Sequence, residues 1–353
     1  MNPTEFRFIG LVRRGLAGAA ISVAVMGAFA AQALGAGGPV VTPAGAQAAL
    51  ASYSRQNIAA DKTLSIAAQQ VGEQGTARIL DDSWFQFEAA AGYKTLDGPT
   101  FYPFSFNPLE DSVPRQATFP ASFAIAARVS YSAGTPAYLR GCPTATSMLV
   151  FARKSAATPW KVVLEPTINL SALPKFAASS DGFATAVDPR RLSVAPLRVP
   201  RLLAKELRGY EASGKLGTIL RSSYFGAQGQ CWSIPDVHAA AHTFATPGVS
   251  VSFLVTGHRP TDARAFAVTG GAALVIASLN YRWTLHATAP HKIVIRAIAH
   301  NPVSHQVPAG SYSSVTEQGI CQVAVLDPAK SAHPAAPIRI IGADCGQLPG
   351  SGR

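Results

Sequence analysis

The pattern of hydrophobic and polar residues between Met148 and Pro166 predicts a β-hairpin. Two short runs rich in β-branched and aromatic residues flank a small polar loop, which is typical of two antiparallel strands joined by a turn. Pro159 and Pro166 bracket the second run, and proline cannot pair in the interior of a sheet. Trp160 is large enough to anchor a hydrophobic core on one face of the hairpin.

Earlier in the chain the hydrophobic spacing changes to that of helices. From Pro43 to about Ala60, residues that include Leu50 and Tyr53 recur at helical intervals, and proline is tolerated in a first helical turn. Asp61 is positioned to cap a second short helix over Lys62–Val71. The sequence therefore predicts two consecutive helices at the start of the folded part.

Between these helices and the hairpin the pattern is mixed. Ala77–Ala90 fits neither a helix nor a strand clearly, and the prolines of Gly98–Pro120 predict an absence of long regular elements. Strands are predicted at Ser122–Tyr131 and Pro136–Leu139, before the hairpin. Asp181–Pro200, with three prolines, predicts a linker to a second half.

The second half opens with a predicted helix, Arg201–Ser213, followed by Gly214 where a left-handed cap belongs. Gly209–Lys215 copies the glycine and lysine spacing of a phosphate-binding loop, but Leu216 stands where a hydroxyl must reach magnesium, so we interpret it as a helix cap. Strand-like runs then follow at Val249–Val255, Arg264–Val268, Ala272–His286, Lys292–Ala299, Gly319–Leu326 and Ile338–Ile341.

The two halves share an order of elements, because each opens with a helix and continues with antiparallel-looking strands. Three residues of the first helix recur 157 positions later, in the pairs Pro43 and Pro200, Leu50 and Leu207, and Tyr53 and Tyr210. A helix followed by such strands folds as a helix packed on one face of a curved sheet. The predicted fold class is therefore α+β, with two tandem modules at residues 43–190 and 196–350.

The amino end predicts export. Arg13 and Arg14 precede the apolar segment Leu16–Leu34, in which Ala31-Gln32-Ala33 supplies the small-x-small pattern of a signal-peptidase site. Residues 1–36 are predicted to be a cleaved signal peptide, with an uncleaved membrane anchor as the alternative. Basic residues precede the segment in both cases, so both place the remainder outside the cytoplasm, secreted or membrane-anchored.

The four cysteines of the sequence, Cys142, Cys231, Cys321 and Cys345, predict two disulfides, because an even count in an exported chain favours oxidation. Folding the runs around Cys321 and Cys345 back on each other brings these two residues opposite one another. Cys142 and Cys231 would then pair across the halves. A metal site is the weaker alternative, since no two cysteines have C-x2-C spacing.

The charge balance favours anionic partners. The formal net charge is +11, and it is still +9, from 27 basic and 18 acidic residues, once the first 36 are set aside. Such an excess suits an anionic envelope polymer, a lipid or a membrane protein of the envelope. No nucleic-acid partner is predicted, because the basic residues are scattered singly without interleaved aromatics.

A recognisable set of core and turn residues runs through both halves: Asn57, Asp61, Tyr102–Phe104, Leu149–Phe151, Pro159–Lys161 and Gly270–Val275. With the exported amino end, this set resembles a family of uncharacterised actinobacterial secreted proteins and lipoproteins. The resemblance covers most of the chain after Pro43 and implies tandem cystatin-like or NTF2-like modules. It brings no known catalytic residues, and the chain lacks the acylated cysteine of the lipoprotein members.

Few residues suggest catalysis. His238 and His242 would share a helical face and, with Asp236, are weak candidates for a metal site. Paired carboxylates for glycoside cleavage are considered at three places, Asp81-Asp82, Glu110-Asp111 and Glu165. No serine elbow or S-x-x-K pair is present, and the sequence predicts no cofactor.

We therefore expect a non-catalytic, exported envelope protein that binds a ligand or partner. Its pocket is expected where a helix crosses a curved sheet, because such concavities are default ligand sites. Aromatic residues of both halves are candidates for lining the pocket: Trp84, Phe85, Trp160, Tyr281 and Trp283. The alternative is a hydrolase of envelope polymers that uses the His and Asp residues of the second half.

Overall fold

The computed structural model describes residues 38–96, 100–133, 135, 145–222, 234, 247–257, 263–295, 307–332 and 336–353. Its helices are α1 (Pro43–Asp61), α2 (Ile66–Gly72), α3 (Gly75–Ala90), α4 (Val199–Ser213) and α5 (Thr218–Ser222). Its strands are β1 (Phe104–Ser112), β2 (Ala121–Tyr131), β3 (Ala145–Arg153), β4 (Lys161–Leu164), β5 (Thr167–Asn169), β6 (Val249–Gly257), β7 (Arg264–Ala267), β8 (Ala273–Ala287), β9 (Ile293–Ile295), β10 (Gly310–Tyr312), β11 (Ser314–Asp327) and β12 (Arg339–Gly352).

The fold is mixed α+β and centres on one large antiparallel sheet. Ten strands form this sheet in the order β1-β2-β3-β5-β12-β11-β8-β6, with β4 also paired to β3 and β7 to β8. Strands β9 and β10 form a separate pair. The prediction of an α+β class with antiparallel strands is confirmed, and the sheet runs without a break through strands of both halves of the chain.

The predicted hairpin is confirmed as β3 and β4. The two strands are antiparallel, and Phe151 lies opposite Val162. Trp160 packs edge-on against Phe123 at a ring distance of 4.8 Å, and Phe123 stacks on Phe151, also at 4.8 Å. Aromatic pairs in such geometries contribute beyond the area they bury, so the hairpin is a firm part of the core.

Two helices cover one face of the sheet at opposite ends. Helix α1 contacts β1 and β2, and α4 contacts β6 and β8. Leu50 and Tyr53 of α1, like Leu207 and Tyr210 of α4, are buried against the strands. Two of the three residue pairs that suggested a repeat therefore face the sheet in both helices.

The two halves meet where β5 pairs with β12. Ile168 lies opposite Gly342 at this seam, and a Cβ on Gly342 would lie 2.3 Å from the carbonyl oxygen of Thr167. Only glycine lets the two backbones approach so closely. A hydrophobic cluster with Ile168 and Ile341 also contains residues of both halves, so the predicted modules at 43–190 and 196–350 share packing, and their independence stays a prediction.

The region between α1 and α3 differs from its prediction. The second helix starts at Ile66, not at Lys62, and its cap is Ser65, whose Oγ accepts from the amide of Ala68 at 3.2 Å. Asp61 is instead the buried last residue of α1. Leu64, with φ of +49°, breaks the helix between them. The unassigned run Ala77–Ala90 forms α3.

The proline-rich passage contains a strand that the sequence did not predict. Strand β1 runs for 9 residues although Pro108 lies within it. The register with β2 shifts between Pro108 and Glu110, and β1 is the outermost strand of the sheet. An edge position with a bulge is where proline can be accommodated, because no ladder hydrogen bond is then lost.

The second half follows its prediction more closely. Helix α4 ends at Gly214, whose φ of +66° is the left-handed cap conformation, so the cap is confirmed. Strands form at all six predicted runs, although β9 is described only over Ile293–Ile295 and the rest of that run lies outside the described residues. The predicted strand Pro136–Leu139 also lies outside them. No helix in the described part of the chain is long and apolar enough to cross a membrane.

Candidate functional site

An open cleft of about 530 Å³ lies between α2 and the β3–β4 hairpin. One wall comes from α2 and the residues just after it, and the other from the hairpin loop and the start of β4. Its lining residues are Ala67, Gln70, Val71, Gln74, Ala152, Lys154, Thr158, Pro159 and Lys161. The cleft falls within the size range of small-molecule sites, which is about 300–1,000 Å³.

The cleft combines an apolar surface with positive charge. Val71 is 49% exposed, and alanine and proline side chains continue the apolar surface. Lys154 and Lys161 supply the charges, and none of the nine described residues that line the cleft is acidic. Such a combination suits a ligand that carries both an apolar part and a negative charge.

Lys161 is held in this wall by the backbone of α2, because its Nζ donates to the carbonyl oxygen of Gln70. The pKa of Lys161 is lowered, first because partial burial removes water from the ammonium group, and then because Arg78 and Lys154 repel its charge. An anion bound here would relieve this repulsion. The positive charges around the cleft therefore favour binding of a negatively charged group.

Arg78 of α3 is partly neutralised by Asp82, which lies one helical turn further on. The Arg78 Nε and Asp82 Oδ2 atoms are 3.2 Å apart. Partial burial raises the pKa of Asp82, while Arg78 and a hydrogen bond from Gln70 oppose the rise. Lys154 and Lys161 therefore carry the positive charge of the lining itself.

A second polar cluster lies where α1, the α2–α3 junction and the β4–β5 turn meet. The hydroxyl oxygen of Tyr53 lies 2.7 Å from Glu73 Oε1 and 2.8 Å from Glu165 Oε2. Tyr53 and Glu73 are only 2% and 1% exposed. Burial raises the pKa of Glu73 well above its ordinary value, and the negative charges of Asp81 and Glu165 raise it further. We call Tyr53, Glu73 and Glu165 the acid–tyrosine triad.

The aromatic residues predicted to line a pocket lie in several places. Phe85 is 1% exposed, and Trp84 packs beside it in a small cluster with the ends of α1 and α2. Tyr281 and Trp283 are buried in the core under α4. Trp160 packs against the first-half core and stands between two cleft residues, Pro159 and Lys161. None of the five is among the described residues that line the cleft.

Of the two predicted disulfides, one lies within the described residues. Cys321 and Cys345 lie opposite each other on β11 and β12 and form a disulfide with a Cα–Cα distance of 4.0 Å, as predicted. The partner pair, Cys142 and Cys231, lies outside the described residues. It stays a prediction.

The predicted metal candidates Asp236, His238 and His242 also lie outside the described residues. Within the described part of the chain, no three His, Cys, Asp or Glu side chains form a group that could hold a metal ion. The weak metal hypothesis therefore stays untested.

Of the carboxylates considered from the sequence, only Glu165 belongs to the acid–tyrosine triad. Asp81 accepts a hydrogen bond from Gln69 Nε2 at 2.7 Å, and Asp111 accepts one from Gln47 Nε2 at 3.0 Å. Sequence reasoning missed Glu73, which follows a short helix and carries no motif. It also missed the two cleft lysines, whose only signal was their position at the hairpin loop.

The fold and the cleft define an α+β protein with a large antiparallel sheet and a cationic, partly apolar cleft beside its hairpin. A family model described as a domain of unknown function (DUF8094) matches residues 37–352. The chain therefore belongs to this family. Searches of curated proteins and of solved structures give no match.

Proposed function

We propose that this protein is exported and acts in the cell envelope as a non-catalytic binding protein that holds an anionic lipid in the cleft. The observation that carries the proposal is the pairing of Lys154 and Lys161 with an exposed apolar surface in one cleft. A few convergent polar groups on an apolar surface are the usual composition of a ligand site.

The charge of the cleft favours a lipid head group over a neutral ligand. Basic residues near an anionic membrane surface each contribute about 1 kcal/mol of attraction. The apolar residues of the cleft, Ala67, Val71 and Pro159, would contact acyl carbons. A polymer with charge alone would leave this apolar surface exposed to water, so a lipid is the better fit.

The proposal includes export and tandem modules. Disulfides persist in oxidising compartments, and the Cys321–Cys345 bridge supports an extracytoplasmic location, with residues 1–36 as signal peptide or anchor. The matching burial of α1 and α4 supports two fused helix-on-sheet modules of the NTF2-like or cystatin-like kind. Both features agree with the secreted actinobacterial proteins that the sequence resembles.

The test is titration of the purified chain with a short-chain phosphatidylglycerol and with the phosphatidylcholine of equal chain length, both below their micelle concentrations. Tryptophan fluorescence reports binding, since Trp160 adjoins the cleft. We expect the anionic lipid to bind at least tenfold more tightly. The double variant K154A/K161A should weaken this binding about thirtyfold, as two contributions of about 1 kcal/mol predict.

The matched control is K62A/K94A, which removes two exposed lysines outside the cleft lining and should leave binding unchanged. Equal affinity for the two lipids, or equal losses in the two double variants, would overturn the proposal. Tight binding of a polyanion without acyl chains would assign the cleft to an envelope polymer instead. Zinc in the purified protein that is lost in H238A/H242A would favour the hydrolase alternative.

A further inference from the structure

The acid–tyrosine triad contains one hydroxyl between two carboxyl groups, and its geometry favours an extra proton. The Tyr53 oxygen lies within hydrogen-bond distance of both Glu73 Oε1 and Glu165 Oε2, at 2.7 and 2.8 Å. A phenol has one proton to donate. If both carboxyl groups were ionised, the single proton would have to serve both contacts, so the second short contact points to a protonated carboxyl group that donates to the Tyr53 oxygen.

We infer that Tyr53, Glu73 and Glu165 share a retained proton at neutral pH and act as a proton-operated clasp within the first half of the protein. In this arrangement the Glu73 carboxyl donates to the Tyr53 oxygen, and the Tyr53 hydroxyl donates to the Glu165 carboxylate. This inference goes beyond the proposed function and does not depend on any ligand.

The clasp joins elements that are far apart in the sequence. Tyr53 belongs to α1, Glu73 to the junction of α2 and α3, and Glu165 to the turn between β4 and β5. The amide of Glu165 donates to the side-chain oxygen of Gln322 on β11. The clasp therefore ties two helices to the strands next to the seam and, through Gln322, to the second half.

The backbone beside Glu73 is part of the same connection. Glu73 forms an isolated bridge with Val162 of β4, and the amide of Gln74 donates to the Val162 carbonyl at 2.9 Å. Gln74 also lines the cleft. Opening of the clasp would loosen the contact between α2 and the hairpin first.

Glu73 is the member of the triad that holds the proton. Glu73 is 1% exposed, whereas Glu165 is half-buried. The titratable groups that act on Glu73 are Tyr53 from α1, Asp81 from α3 and Glu165. Burial opposes ionisation of Glu73 most strongly, and both acidic neighbours oppose it further; hydrogen bonds with Tyr53 and with Gln69 of α2 lower its pKa by less than these effects raise it.

The cations on the neighbouring elements have other partners. Arg78 of α3 pairs with Asp82, and Lys161 of β4 donates to the Gln70 carbonyl. Neither is among the groups that act on the Glu73 carboxyl. These two cations therefore do not replace the proton of the triad.

The direction of the pH effect follows from the raised pKa of Glu73. In the unfolded chain a glutamate loses its proton near pH 4.3, while the folded triad keeps its proton to higher pH. Above about pH 4.3 the unfolded state therefore binds fewer protons, so unfolding becomes more favourable as pH rises until folded Glu73 titrates. The clasp is closed at lower pH and opens at higher pH.

The test compares urea unfolding of the wild-type chain and E73Q between pH 5 and pH 9. Glutamine keeps an N–H donor toward the Tyr53 oxygen at every pH. We expect the wild-type unfolding equilibrium constant to rise more steeply with pH than that of E73Q, by up to tenfold per pH unit. The half-buried Glu110 of β1 provides the control E110Q, which should keep the wild-type pH dependence.

Infrared difference spectra give a second readout that needs no unfolding transition. At neutral pH, the spectrum of the wild-type protein minus that of E73Q should show the carbonyl stretch of a protonated carboxylic acid. The Y53F substitution should shift that band. The proposal would be overturned by equal pH dependence of wild type and E73Q. Absence of the band at neutral pH would overturn it as well.

Discussion

The two ends of the sheet carry the same layout but hold it together by different chemistry. Under α1, Tyr53 is buried and bonded to two carboxyl groups, whereas under α4 Tyr210 packs in an apolar cluster. The second half instead has a covalent link, Cys321–Cys345, between adjacent strands. In the first half, side-chain hydrogen bonds therefore join a helix to the sheet, whereas in the second half a disulfide joins two neighbouring strands.

The difference has a consequence for environmental response. A disulfide responds to redox conditions and hardly to pH, whereas a buried carboxyl group responds to pH. The seam at Gly342 joins the two halves, because β5 and β12 meet there and one hydrophobic cluster includes residues of both halves. Variants in the two halves should thus separate the two responses.

The largest expected effect comes from removing the disulfide with C321S/C345S. The two cysteines are 24 positions apart, and closing a loop of that size stabilises a fold by about 3 kcal/mol. Urea unfolding should show a loss of about that size. The pH difference between wild type and E73Q should persist in this background, and its disappearance would show that the halves are not secured separately.

Gly342→Ala should break the seam at a cost of about 2 to 3 kcal/mol. The new Cβ would meet the Thr167 carbonyl at 2.3 Å, and backbone atoms cannot move aside as a flexible side chain can. Gly209→Ala in α4 is the control, because a Cβ there meets nothing within 4 Å. We expect that control to be neutral or stabilising, and equal losses in both variants would contradict the close approach.

These elements differ in how far the sequence predicted them. The Cys321–Cys345 pairing was predictable because the two runs lie close in sequence and alternate as facing strands. The helix pairs Leu50 and Leu207 and Tyr53 and Tyr210 were visible as periodic apolar positions. Local spacing thus identified the buried faces and the covalent link.

The triad and the seam were not predictable in this way. Tyr53 meets Glu73 across 20 positions and Glu165 across 112. No periodicity links side chains from a helix, a junction and a turn, and tertiary packing alone brings them together. Gly342 likewise is one of 30 glycines, and only the approach of β5 gives it a distinct role.

The third effect tests whether pH sensitivity is confined to the first half. Asp327 of β11 is buried, and this burial raises its pKa to about 6, although Val194 donates its amide to the carboxylate at 3.3 Å. Its ionisation therefore costs stability as pH rises from about 4 to about 6. D327N should stabilise the protein by about 2 to 3 kcal/mol at pH 7.

The gain from D327N should vanish below about pH 3, where both the folded and the unfolded state hold the proton. Urea unfolding at about pH 3 and at pH 7 measures the two values. D188N is the matched control, because exposed Asp188 also accepts a backbone amide, from Arg190 at 3.0 Å. A gain of equal size at both pH values would show that charge is not the cause. A gain only at pH 7 would show that the second half, which contains the disulfide, also has a pH response, weaker than that of the first half.

The smallest expected loss of stability comes from the first turn of α1, which we compare with the first turn of α4. Thr42 caps α1, because its Oγ1 accepts from the amide of Gly45 at 3.1 Å, whereas Arg198 before α4 makes no side-chain cap. Loss of a threonine cap costs about 1 kcal/mol, so T42A should destabilise the protein by that amount. R198A should change the free energy of unfolding by less than about 0.5 kcal/mol, since an exposed side chain without a cap contributes little. Urea titration at one pH resolves this difference. Equal losses would mean that the first turn of α1 is held by its packing on β1 and not by its cap.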